Sequence, residues 1–116
     1  MAYLRKENET VEIDYPLDKV WAAVPKALAI LEWVIEEADD TNHHIKAKTK
    51  GGFMSYASRL IIDVVAVDKK TARCEVTAET PVTTITSIAD FGRTRDRIDV
   101  FFEALANQLT SKKATR

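Results

Sequence analysis

The side chains able to do chemistry are few. His43 and His44 stand beside Asp39 and Asp40, with Glu36 and Glu37 just before them, so acid, base and metal-ligating groups concentrate in one short stretch. Two neighbouring residues on a strand point to opposite faces, so the histidines cannot readily chelate one ion, and no distant Cys or His completes a ligand set. The acidic run Glu36, Glu37, Asp39, Asp40 could hold a pair for acid–base work, but such a run is ordinarily a solvated strand end. Nucleophilic catalysis would need Ser55, Ser58 or Cys74 beside a histidine, and no spacing fixes that meeting. There is no G-x-S-x-G, H-E-x-x-H, P-loop or glycine-rich dinucleotide turn. The expectation is a protein that is not an enzyme, with no cofactor and no metal.

Binding residues are easier to find. Lys46, Lys48 and Lys50 share one strand face, with Arg59 and Arg73 as neighbours, and form the candidate basic patch. Its rival is cross-strand pairing with Asp63, Glu75 and Glu79. Arg93, Arg95 and Arg97 add charge at the start of the last helix, diluted by Asp96 and Asp99. With 17 Lys and Arg against 18 Asp and Glu, the net charge is −1, so no global field draws in nucleic acid or an anionic membrane. The apolar candidates are the loop residues Phe53, Met54 and Tyr56 within Gly51 to Tyr56, and the strip Ile61, Val65, Val67 on the sheet face away from the helices. Trp21 and Trp33 read first as core; with Leu60 and Phe102 they could instead line a pocket between helices and sheet.

These groups must be positioned by a chain of 116 residues, the length of one domain spanning 1–116, in which 46% of residues are hydrophobic and 30% charged. Period-two alternation predicts a strand over Thr10 to Tyr15, with Val11, Ile13 and Tyr15 on one face. After Pro16, the spacing of Leu17, Val20, Trp21, Val24, Leu28 and Leu31 predicts a helix from near Asp18. Pro25 lies within it and removes a backbone hydrogen bond, which predicts a kink or two short helices. Trp33 to Ala38 and His44 to Lys50 read as a hairpin around the turn Asp39 to Asn42. Ser58 to Asp68 is the strongest strand, with Leu60, Ile62, Val64 and Ala66 inward. Ala72 to Thr80 returns with Ala72, Cys74, Val76 and Ala78 inward, which makes Cys74 a buried small hydrophobe. Pro81 marks a bulge or edge, and Val82 to Ile88 either extends that strand or forms a sixth. The final helix runs from about Arg93 to Leu109 on Ile98, Phe101, Phe102, Leu105 and Leu109, with Asp90 or Thr94 as cap and fraying from Ser111.

The expected fold is therefore α+β: a two-layer sandwich in the order β-α-β-β-β-β-α. A five- or six-stranded antiparallel sheet carries both helices on one face, with the first strand beside the last of the meander. Two segments add a resemblance. Tyr15-Pro16-Leu17-Asp18-Lys19-Val20-Trp21 resembles the approach to the first helix of helix-grip domains, the group that includes START-type lipid-binding proteins. Asp90-Phe91-Gly92-Arg93, followed by Ile98, Phe101, Phe102 and Leu105, resembles the tail of small bacterial helix-grip-like domains of unassigned function. It is also similar to the compact domains of an outer-membrane assembly lipoprotein. The resemblance implies an architecture and a habit of binding, with no catalytic residues to carry over.

The leading functional expectation is a non-enzymatic binding or protein-interaction domain acting through the Gly51 to Tyr56 loop or the outer sheet face, with a homodimer through that face as one arrangement. The alternative is a small carrier of an apolar ligand held between helices and sheet. One cysteine forms no internal disulfide, the first ten residues hold no apolar signal region, and no stretch approaches the ~20 apolar residues of a membrane span. The chain as given reads as cytoplasmic, with an exported origin after loss of a leader left open.

Overall fold

The structure is a computed structural model that describes residues 3–49, 58–82 and 93–114. Its elements are β1 (Tyr3–Ile13), α1 (Leu17–Ile30), β2 (Val34–Asp39), β3 (His44–Lys48), β4 (Arg59–Ala66), β5 (Ala72–Val82) and α2 (Arg93–Ala114). The strands form one five-stranded sheet in the order β1-β5-β4-β3-β2 with every neighbouring pair antiparallel. β1, β4 and β2 therefore run in the same direction. Because β1 and β2 are the two edges, α1 must cross the sheet to join them.

Both helices pack on the same sheet face. Leu60, Ile62 and Val64 of β4, Cys74 and Val76 of β5 and Ile45 of β3 are buried beneath Val20, Val24 and Leu28 of α1 and Ile98, Phe101 and Leu105 of α2. Ala66, expected inward, is exposed, because it stands where β4 leaves the sheet. Desolvation, with a smaller contribution from the Asp63 charge, pushes the buried Cys74 thiol up to about 12. It stays protonated at neutral pH and is no nucleophile.

Three elements, β1, α1 and α2, differ from the sequence expectation, and β5 takes the extension past Pro81 that was one of its two alternatives. β1 begins at Tyr3 and not at Thr10, and it stops at Ile13 before Tyr15. Its polar first half is held by backbone pairing with β5, from Tyr3 opposite Val82 to Asn8 opposite Thr77, which apolar alternation does not reveal. α1 is a single helix through Pro25, not two; the proline ring lies on the exposed side while Val24, Ala27 and Leu28 hold both flanking turns in the core. β5 continues through Pro81 to Val82. Pro81 stands opposite Leu4 of β1, and the described pairing of β5 with β4 ends at Glu79, two residues before the proline. α2 reaches Ala114, beyond Leu109, so Ser111 is helical and not frayed. Of the expected sixth strand over Val82 to Ile88, residues 83–88 lie outside the described residues, as do the cap Asp90 and the Gly51 to Tyr56 loop; Thr94, the other expected cap, lies inside α2.

The end of α1 is closed by a Schellman motif. Trp33 N–H donates to the Leu28 carbonyl (3.0 Å) and Glu32 N–H to that of Ala29 (3.0 Å), with Glu32 left-handed at φ 62°. A glycine normally takes that position, and its absence hides the helix end in the sequence. At the other hairpin end, Asp39 accepts the Asn42 side chain (2.8 Å) and the backbone N–H groups of Asn42 (3.1 Å) and Thr41 (3.0 Å). These bonds, that of the Asn42 side chain first, hold its carboxyl below the usual carboxylate range.

Candidate functional site

An α-helix turns by about 100° per residue, so Phe101 and Phe102 cannot face the same way. Phe101 joins Ile98 and Leu105 in the core, while Phe102 is half-buried and turns toward β1. At the sheet edge, Val11 and Ile13 of β1 stand opposite the inward-facing Cys74 and Ala72, so they share the helix-bearing face, but both remain half-buried. The space between is an open groove of about 370 Å³, lined by Val11, Ile13, Tyr15, Phe102, Leu105 and Leu109, with Ala106 and Thr110 along its helix side and Glu9 and Asp99 as its charged members. That volume lies in the range of small-molecule sites, roughly 300–1,000 Å³, and the lining is mostly apolar with a few polar groups. A concavity of about 600 Å³ at Asp14 and Asp68 to Thr71 is shallower and more open to solvent, and no large apolar side chain lines it.

Of the residues singled out from sequence, Phe102 lines this groove. Leu60 is fully buried beneath the helices, and Trp33 packs partly against the core at the capped end of α1. Trp21 donates from Nε1 to Asp40 Oδ1 (3.0 Å), and its ring meets His43 edge-on at 5.2 Å, so it fastens α1 to the β2–β3 turn. Phe53, Met54 and Tyr56 lie outside the described residues. Ile61 is half-buried and Val65 50% exposed on the opposite sheet face, while Val67, 42% exposed, lies beyond the end of β4 in the turn to β5.

That outer face is a charged ladder. Glu36 accepts from Arg59 Nε (2.9 Å), Glu37 lies 3.7 Å from Lys46, Glu12 accepts from Arg73 (3.3 Å), and His44 Nδ1 is 2.6 Å from Asp63. The Arg59 hydrogen bond lowers the Glu36 carboxyl below its ordinary value. Lys46, Arg59 and Arg73 thus pair across strands as expected, with Glu37, Glu36 and Glu12 as ion-pair partners; the expected partner Glu79 stands opposite Arg59 and adds its charge there, while Lys50 lies outside the described residues. β2 carries a bulge between Ile35 and Glu37, which turns both Glu36 and Glu37 toward the ladder. His43, left-handed at φ 55°, sits in the turn against Trp21 while His44 lies on the outer face, so the two rings do diverge. No group of three or more His, Cys, Asp or Glu is placed to hold a metal among the described residues.

Sequence reasoning found the groove's walls but not the groove. Val11, Ile13 and Leu109 were visible as apolar faces and Asp99 only as a charge diluting the arginines of the last helix; Glu9 and Ala106 were not singled out. The available signal was that Glu9 shares the face of Val11 and Ile13, where a charge is out of place under a helix.

No family model and no curated protein sequence matches the chain. Solved structures do. Norcoclaurine synthase from Thalictrum flavum, in complex with dopamine and hydroxybenzaldehyde, matches with a TM-score of 0.69 at 12% identity, over 95% of this chain and 88% of that one. The Zhui aromatase/cyclase from Streptomyces sp. R1128 gives 0.61 at 13% identity over 90% and 96%. Ara h 8.0201 gives 0.65 at 11% over 94% and 99%. What this chain shares with them is the fold, the helix-grip arrangement of START and Bet v 1 type: an antiparallel sheet with a long C-terminal helix laid across one face.

Proposed function

We propose that this protein binds a small apolar or amphiphilic molecule in the groove between β1 and α2 and acts by holding it, without turnover. The observation that carries the reading is the groove itself, an apolar concavity at the junction of helix and sheet edge that the core leaves unfilled. The fold adds support, since a structural neighbour is seen in complex with the small aromatic molecules dopamine and hydroxybenzaldehyde. The test is titration with the neutral fluorescent probe N-phenyl-1-naphthylamine. Saturable, one-to-one enhancement with a blue shift is the expected result; no saturable binding of this probe overturns the reading.

A second reading, docking of a protein or a second copy on the outer sheet face, is favoured by the exposure of Val65 on that face and of Val67 just beyond it. It predicts a concentration-dependent dimer in sedimentation velocity that Val65→Glu dissociates. A monomer throughout the micromolar range contradicts self-association.

A further inference from the structure

We infer that the groove is shaped for one unbranched apolar chain lying along β1, and that it stops rewarding added length beyond about ten to twelve carbons. The inference rests on the binding function proposed above and specifies its ligand class. The two walls of the groove keep step with each other. Arg97 Nη1 donates to Ser58 Oγ (2.6 Å), which pins the first turns of α2 at the start of β4. That end of β4 lies level with the early part of β1, since Arg59 stands opposite Glu79 and Glu79 opposite Lys6. The far end lies level with Ile13, since Ala66 stands opposite Ala72 and Ala72 opposite Ile13. α2 therefore runs alongside β1 in the same sense, from Asp99 at the Glu9 end of the groove to Leu109 and Thr110 at the end of Ile13 and Tyr15.

The strand wall from Glu9 to Ile13 rises about 13 Å, and the helix wall from Asp99 to Thr110 about 16 Å. The groove volume of about 370 Å³, drawn out over that length, gives a cross-section of about 25 Å², or about 5 Å each way. One methylene chain, with wall carbons at their contact distance of about 4 Å, fills such a slot. A flat aromatic ring can enter edge-on through the open side, but two chains abreast, a branched chain or a fused saturated ring frame are too thick. An extended chain advances about 1.25 Å per carbon, the projection of a C–C bond of about 1.5 Å, so the walls cover about ten to twelve carbons. The middle of the slot is apolar, formed by Val11, Phe102, Leu105 and Ala106. The polar groups at its ends are engaged within the protein: Thr110 Oγ1 donates to the Ala106 carbonyl (2.9 Å), and Glu9, Asp99 and Tyr15 each interact with other groups of the chain. The slot thus offers contact area along its length and no counter-charge. Affinity grows with each methylene that enters and stops growing once the chain emerges at an end.

The experiment displaces bound N-phenyl-1-naphthylamine with the straight-chain primary alkanols from hexanol to tetradecanol, each below its solubility limit. Every added carbon is expected to lower the displacing concentration about threefold as far as about ten to twelve carbons, and to change it little beyond. A dimethyloctanol, which has the carbon count of decanol in a branched chain, is expected to need about fivefold more than decanol. Thr110→Trp, which fills one end of the slot, should move the break down by about three carbons; should that variant lose its fold, Thr110→Leu should move it by about one. A break at octanol or shorter, a rise without a break through tetradecanol, equal displacement by decanol and its branched isomer, or a break that a folded Thr110 variant leaves in place overturns the chain inference while leaving apolar binding intact. Failure of the probe to bind removes the groove function and this inference with it.

Discussion

Replacing Phe101 by alanine is expected to destabilise the fold by about 3–5 kcal/mol, while the same change at the adjacent Phe102 costs less than about 2 kcal/mol and weakens ligand binding instead. Phe101 is fully buried between the sheet and α1, so its removal leaves a cavity that neighbours on three elements cannot close. For a domain whose total stability is typically about 5–15 kcal/mol, that is a large share. The midpoint of thermal unfolding should fall on the order of 10–20 °C. Phe102 is half-buried at the groove, and its ring contributes to the ligand surface, so its loss should weaken probe binding about tenfold with the fold largely kept. Calorimetry and probe titration on the two variants separate the effects. Equal loss of stability at both positions would mean that Phe102 is a core residue and the groove is misplaced.

Filling the groove should abolish binding without unfolding the protein. Ala106 is exposed and lines the groove on its helix side, so Ala106→Trp places an indole in the space the ligand would occupy. The expected loss in probe affinity is about a hundredfold or more, since the ligand forfeits both the volume and the walls beyond it. The cost to stability is small, about 0.5 kcal/mol of helix propensity, offset by contact of the indole with Val11 and Phe102. Glu103→Trp, an equally bulky change at an exposed position of α2 that does not line the groove, is the control and should leave binding unchanged. If Ala106→Trp binds the probe like the original chain, the molecule sits elsewhere.

The order of elements and the shared helix face were legible in the residues because each rests on a period. The alternation of Leu60, Ile62 and Val64 and the spacing of Val20, Val24 and Leu28 each encode one buried face, and the structure joins those faces in one core. What was not legible depends on partners distant in sequence. The first half of β1 is a strand because β5 is there to pair with it, and Pro81 lies in that pairing, opposite Leu4. The end of α1 is concealed because Glu32 takes a conformation usually left to glycine. The groove has the same origin. Phe101 and Phe102 are indistinguishable in sequence, and only the position of β1 at the sheet edge decides which of them is sealed and which lines an opening. Trp21, read first as core with a pocket wall as the alternative, packs partly against the core and bonds its indole to Asp40 of the β2–β3 turn.

The central claim, that an apolar molecule sits between β1 and α2, is tested most directly by methyl-labelled NMR during titration with decanol. The account predicts that the methyl signals of Val11, Ile13, Leu105 and Leu109 shift in step and saturate together, while those of Ile61 and Val65 on the opposite face stay still. Saturating shifts confined to Ile61 and Val65, with the groove methyls unmoved, would contradict it.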